Sequence, residues 1–142
     1  MIYFITKDES EITYIHCKDR IIKHNRGIEQ VMDWLCHSNG ATLKGQKQGT
    51  RDLTKMSKKV PIVLYIEGEE CIFFLIRNKD QQWWINSSCV NFYLSIQDRV
   101  FIDYSHHQFM YIDASYYSFH QQMNRCCEIK KQLQDTYFLL NF

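Results

Sequence analysis

Pro61-Ile62-Val63-Leu64-Tyr65-Ile66-Glu67-Gly68-Glu69-Glu70-Cys71-Ile72-Phe73-Phe74-Leu75-Ile76 is the stretch that decides the fold class. Two apolar, β-branched and aromatic runs flank a polar turn that contains glycine. This pattern predicts a hairpin, with strands over 62–66 and 71–76 and a turn at Glu67 to Glu70. Pro61 is the only proline in the 142-residue chain, and it separates the hairpin from whatever precedes it.

Outward from the hairpin, the same period continues. Residues 1–6 and 11–17 alternate around Lys7-Asp8-Glu9-Ser10 and predict two short strands. Residues 83–85, 89–94, 99–103 and 109–112 predict further strands, the last pair around Tyr104-Ser105-His106-His107. The spacing indicates an antiparallel meander with one face packed. Two segments switch to a helical period. Ile28, Val31, Met32 and Leu35 fall at i, i+3, i+4, i+7, with Asn25 ahead as a cap and Gly40 beyond as a stop. Phe119, Met123, Cys126, Ile129 (or Lys130), Leu133 and Tyr137 mark a C-terminal helix, with Ser118 and Gln121 reading as a capping box. The expectation is one α+β domain over 1–142: an antiparallel β-meander packed with an early helix and a C-terminal helix.

Between the early helix and Pro61 lies a segment of different character. Residues 40–60 hold six of the chain's 17 basic residues and three of its five glycines. Against Asp52 alone the window is net +5, while the chain as a whole is +1. It predicts a long basic loop, and a cationic, glycine-bearing surface of this kind suits phosphate. Lys44, Lys47, Arg51, Lys55, Lys58 and Lys59 supply charge. Thr50, Thr54 and Ser57 supply hydroxyl donors, and Gly45 and Gly49 allow close backbone approach or positive φ. The window has no aromatic residue, which favours duplex DNA over stacking on unpaired bases. Trp83-Trp84 reads as one core indole and one covering a sheet edge or the loop base.

Other chemistries lack their signatures. Gly40 and Gly45 have the spacing of a phosphate loop, but Gln46 and Lys47 stand where Lys and Ser or Thr belong, and the segment leaves a helix rather than a strand. No nucleophile motif frames a Ser or Cys, and the acids scatter over turns and helix faces, so no enzyme is expected. The six cysteines include no Cys-x-x-Cys, and His16-Cys17, Cys36-His37 and His106-His107 are adjacent pairs that diverge from any one metal. Reduced, mostly buried thiols are expected, with no metal and no cofactor. No apolar run reaches membrane-spanning length and the start, Met1-Ile2-Tyr3-Phe4-Ile5-Thr6, is no secretory signal, so a cytoplasmic protein without a membrane partner is expected.

Several stretches taken in order resemble the competence transcription factor (ComK) family. They are Val31-Met32-Asp33-Trp34-Leu35-Cys36, Gly45-Gln46-Lys47-Gln48-Gly49-Thr50, Thr54-Lys55-Met56-Ser57-Lys58-Lys59-Val60-Pro61-Ile62, Trp84-Ile85, and Ser115-Tyr116-Tyr117-Ser118-Phe119 with Gln122. The resemblance runs from about residue 12 to residue 133. It implies a DNA-binding transcriptional activator of competence (DNA-uptake) genes, bound to A·T-rich promoter boxes largely through the minor groove as a homo-oligomer. It carries Gly45, Lys47, Gly49, Thr50, Thr54, Lys55, Ser57 and Lys58 across as DNA-binding positions. It also implies control by a proteolytic adaptor. Gln46 and Val60 depart from positions that are often basic and often proline in the family. Family members extend further at both ends, where this chain stops at Leu140-Asn141-Phe142, so the adaptor is not carried over and a shortened paralogue is the expectation. The alternative is an interaction module that does not bind DNA and modulates a full-length relative.

Overall fold

A computed structural model describes residues 1–79 and 81–140, without the side chains of 107 and 138–140. Asp80, the side chain of His107 and the terminal Asn141-Phe142 therefore lie outside the described residues. The elements are β1 (Ile2–Lys7), β2 (Thr13–Cys17), β3 (Ile21–His24), α1 (Ile28–His37), α2 (Leu43–Thr54), β4 (Ile62–Ile66), β5 (Glu69–Asn78), β6 (Gln81–Asn86), β7 (Val90–Ile96), β8 (Arg99–Tyr104), β9 (Gln108–Ile112) and α3 (Tyr116–Leu140). The fold is α+β, as expected.

The strands form two antiparallel sheets. One has six strands in the order β3-β2-β1-β6-β5-β4, the other three in the order β7-β8-β9. The hairpin that set the fold class is β4–β5. Its turn is the two-residue Glu67-Gly68, both at positive φ (53° and 79°), and β5 begins at Glu69 rather than Cys71. Positive φ at both central residues gives a turn whose twist matches the strands.

The six-stranded sheet is covered on both faces. Trp83 and Trp84, neighbours on β6, necessarily point to opposite sides. Trp84 packs with Phe73, Ile62 and Leu64 against Ile28, Val31, Met32, Leu35 and Cys36 of α1. Trp83 packs with Phe74 and Ile76 against Val100, Ile102 and Tyr104 of β8 and Phe119, Cys126 and Ile129 of α3. The unbroken apolar run Cys71 to Ile76 follows from this, because a strand buried on both sides has no face left for polar residues. Both tryptophans are core residues. The expected single meander is thus divided: a 3-10 turn at Ser87–Cys89 redirects the chain after β6, and β7–β9 pack over the first sheet.

The largest departure from expectation is the basic loop at 40–60, most of which is helix α2. Gly40 (φ 75°) ends the preceding turn. The Thr42 hydroxyl then accepts from the Gly45 amide at 2.9 Å, and the Asp33 carboxylate of α1 accepts from the Leu43 amide at 2.8 Å. Two of the four orphan amides at the helix start are thereby paired. The helix stops at Lys55, which adopts φ 64°. Gly45 and Gly49 lie inside the helix, not at positive φ. Each costs the helix about 1 kcal/mol against Ala, and only the caps and packing against neighbouring elements offset that.

Smaller differences are local. Helix α1 is preceded by Gly27, not capped by Asn25. Helix α3 starts one turn earlier than expected, where the Ser115 hydroxyl accepts from the Ser118 amide at 3.3 Å. On α3 the buried face is Phe119, Gln122, Cys126 and Ile129, while Tyr137 is exposed.

Candidate nucleic-acid interface

Helical periodicity gives the basic window a direction. Lys44, Lys47 and Arg51 are spaced i, i+3, i+7, which puts them on one face of α2. Lys44 is exposed, whereas Lys47 and Arg51 are half-buried along one wall of a groove. The Lys47 ammonium lies 5.8 Å from the Trp84 ring centroid, a cation–π distance.

The groove has a volume of about 340 Å³. Lys47 and Arg51 come from α2, Lys59 from the bend that follows, Arg77 from the end of β5 and Arg125 from α3. Among the described residues no carboxylate lines it, and its walls include Val60, Leu75 and Trp84. Among the described residues the ion pairs are Lys7–Glu11 and Asp33–His37, so none of these five cations is paired with a described carboxylate. Asp52, the one acid of the window, accepts from the Gln48 amide at 2.9 Å. Five uncompensated cations around a low-dielectric wall raise the local positive potential well above that of a chain with a net charge of +1.

The bend at Lys58-Lys59 is held from the far side of the groove. Arg125 donates to the Lys58 and Lys59 carbonyl oxygens at 2.9 and 3.2 Å, and Gln122 donates to the Lys59 carbonyl at 3.1 Å. Lys59 sits at φ 51°. Gln122 is only 4% exposed, and its side-chain oxygen is buried with no partner among the described residues.

The other expected positions separate into two groups. Lys44, Lys55, Ser57 and Lys58 are exposed and flank the groove without lining it. Thr50 and Thr54 are different. Thr50 is 4% exposed and its hydroxyl donates to the Gln46 carbonyl, while the Thr54 hydroxyl donates to the Thr50 carbonyl. Both hydroxyls donate to the helix backbone in this arrangement. Gly45 and Gly49 contribute through the helix: a Cβ at Gly45 would meet the Thr42 hydroxyl at 3.2 Å, and one at Gly49 would meet nothing within 4 Å. Reasoning along the chain missed Arg77 and Arg125. Nothing local marks Arg77, whereas Arg125, three residues after Gln122 on α3, carried a helical spacing that could have flagged it.

Four of the six thiols are withdrawn from solvent, while Cys17 is half-buried and Cys127 exposed. Cys36, Cys71, Cys89 and Cys126 are buried and free. Burial pushes the Cys36 thiol up to about 11, and those of Cys89 and Cys126 up to about 12, so the nucleophilic thiolate is scarce near neutrality. Among the described residues no three His, Cys, Asp or Glu side chains could hold a metal ion. None of the described helices is long and apolar enough to cross a membrane.

Residues 2–137 match a family model described as ComK protein. The competence transcription factor of Bacillus subtilis (strain 168) is 28% identical over 120 residues, covering 83% of this chain and 62% of that protein. The chain thus spans less than two thirds of that relative's length. No solved structure matches it significantly.

Proposed function

Given that the chain belongs to the ComK family, we propose that it is no enzyme but a DNA-binding regulator of transcription, an activator of competence genes. In this reading it contacts A·T-rich promoter boxes largely through the minor groove, as more than one copy. The observation that carries the reading is the groove whose cations Lys47, Arg51, Lys59, Arg77 and Arg125 have no carboxylate partner among the described residues. Flexible Lys44, Lys55 and Lys58 extend the positive surface beyond the groove's rim. A·T-rich tracts narrow the minor groove and deepen its negative potential, so long basic side chains enter it favourably while their neighbours bind phosphate. The rigid bend at Lys58-Lys59 reduces the ordering cost of that contact.

The test is binding to an A·T-rich duplex across a salt series. With about five phosphates neutralised per copy, log K falls against log salt with a slope near −4.5. The Lys47→Ala/Lys55→Ala/Lys58→Ala variant weakens binding and flattens the slope by about three. Unchanged affinity in that variant overturns the basic segment as the DNA-binding element.

One observation favours the alternative, an interaction module acting on a relative. The outer face of the small sheet exposes Phe92, Leu94, Phe109 and Tyr111. An electrophoretic shift with the purified protein separates the readings: a shift by the protein alone supports the DNA reader, and a shift only with a full-length relative supports the module.

A further inference from the structure

We propose that the outer face of the β7-β8-β9 sheet is a pairing surface for a second copy of this chain, with β8 strands antiparallel across the interface. Strand alternation and register place Phe92 and Leu94 of β7, Arg99, Phe101 and Asp103 of β8, and Phe109 and Tyr111 of β9 on that face. The opposite face carries Val100, Ile102, Tyr104 and Ile112 and is buried in the core. No described residue covers the outer face. Phe109 is 64% exposed, and Phe92, Leu94 and Tyr111 each remain near half exposed.

The exposed rings form one contiguous layer. Phe101 is at its centre, with ring centroids 6.0 Å from Phe92, 5.7 Å from Phe109 and 5.2 Å from Tyr111. A monomer has no reason to order four aromatic rings against water, and such a patch marks an interaction site. Single-stranded nucleic acid also stacks on aromatic sheets, but it needs a cationic track beside them. This face carries one cation, Arg99, and one carboxylate, Asp103, so it is charge-balanced and suits protein.

The two charges identify the occupant. They flank Phe101 two residues to either side on the same strand face, about 14 Å apart. Neither is in an ion pair among the described residues: Arg99 lies 5.1 Å from the Tyr111 ring centroid and Asp103 accepts from Asn91 at 3.2 Å. Two copies packed face to face about a two-fold axis can set their β8 strands parallel or antiparallel. Parallel strands put Arg99 over the partner's Arg99 and Asp103 over the partner's Asp103. Antiparallel strands pivoting on Phe101 put Arg99 over the partner's Asp103, and the symmetry repeats the pair. The face is therefore complementary to itself in one orientation and repulsive in the other.

Its size sets the strength. Three strands about 4.8 Å apart and some six residues long cover roughly 300 Å² before side-chain relief. A standard interface buries about 800 Å² per partner. Pairing through this face alone is thus weak and is strengthened when two copies share one DNA molecule.

The test is sedimentation equilibrium of the full chain, without DNA, from about 1 to 300 µM, with circular dichroism to confirm folding. The expected result is a reversible dimer. Arg99→Asp weakens it at least tenfold, as does Asp103→Arg, and the double variant Arg99→Asp/Asp103→Arg restores it. Phe109→Lys, at an exposed position outside the core, abolishes it. A monomer at every concentration overturns the proposal, as does a dimer that Phe109→Lys leaves intact. A double variant no better than either single one overturns the antiparallel register. Quenching of protein fluorescence by an oligothymidylate that Phe109→Lys eliminates assigns the face to bases instead. Because no DNA is present in the sedimentation arm, and Lys47→Ala/Lys55→Ala/Lys58→Ala is expected to dimerise normally there, failure here is distinct from failure of the DNA reading.

Discussion

The Gln122 side-chain amide of α3 donates to the Lys59 backbone carbonyl at 3.1 Å, across 63 residues of sequence. It joins the C-terminal helix to the bend that presents two basic side chains, so the shape of the cationic groove depends on a neutral residue. Gln122→Met removes this bond and the unpartnered side-chain oxygen while keeping similar volume. Losing one hydrogen bond and one buried orphan acceptor nearly cancels in stability, within about 1 kcal/mol. Affinity for an A·T-rich duplex is expected to fall several-fold with no change in salt slope, because no charge is removed. A flattened slope would show that Gln122 acts by some other route.

In the proposed DNA-binding reading, the groove residues Arg77 and Arg125 extend the contact surface beyond the basic window. Arg77→Ala and Arg125→Gln, made separately, are each expected to reduce the salt slope of duplex binding by about one. Arg125→Gln further loosens the Lys58-Lys59 bend, since its guanidinium holds both carbonyls, so it should lower affinity more than Arg77→Ala. Slopes equal to wild type would confine DNA contact to residues 44–59.

Gly49 lies in the interior of α2 with open space where a Cβ would stand. Gly49→Ala should therefore stabilise the protein by about 1 kcal/mol, seen as a melting temperature raised by about 3 °C. A loss of DNA affinity in the same variant would show that the helix backbone approaches the duplex closely there. A lower melting temperature would mean that the helix is less regular than described.

His16 stacks on Phe4 with ring centroids 4.1 Å apart, and burial holds its pKa below the ordinary value of 6.5. The unfolded chain then binds more protons than the folded one below about pH 6.5, so stability rises with pH through that window. The contribution is complete above the unfolded pKa and is lost as pH falls through the folded one. Melting temperatures between pH 5 and 8 should climb more steeply in the wild-type protein than in His16→Gln. Parallel curves would place the pH dependence elsewhere.

Much of the fold was legible along the chain. Helices α1 and α3 follow from apolar residues at i, i+3, i+4, i+7, and the β4–β5 and β8–β9 pairs from alternation and turn residues, because these signals are local. Helix α2 was not legible. Two glycines and two threonines depress its helix propensity, and Leu43 and Leu53 are its only large apolar residues. The long-range pairing of β1 with β6 was equally silent, since register such as Phe4 with Ile85 is a contact between segments far apart in sequence.

The amino-acid order by itself determined the charge concentration at 40–60, the periods of most elements and the family they belong to. Only the tertiary structure decided that the basic segment is a helix and that Arg77 and Arg125 join Lys47, Arg51 and Lys59 around one groove. The physical reason is that a weak helix former takes its conformation from its caps and packing, here the Asp33 carboxylate and the Thr42 hydroxyl, while cations from three separate elements meet only when the chain is folded.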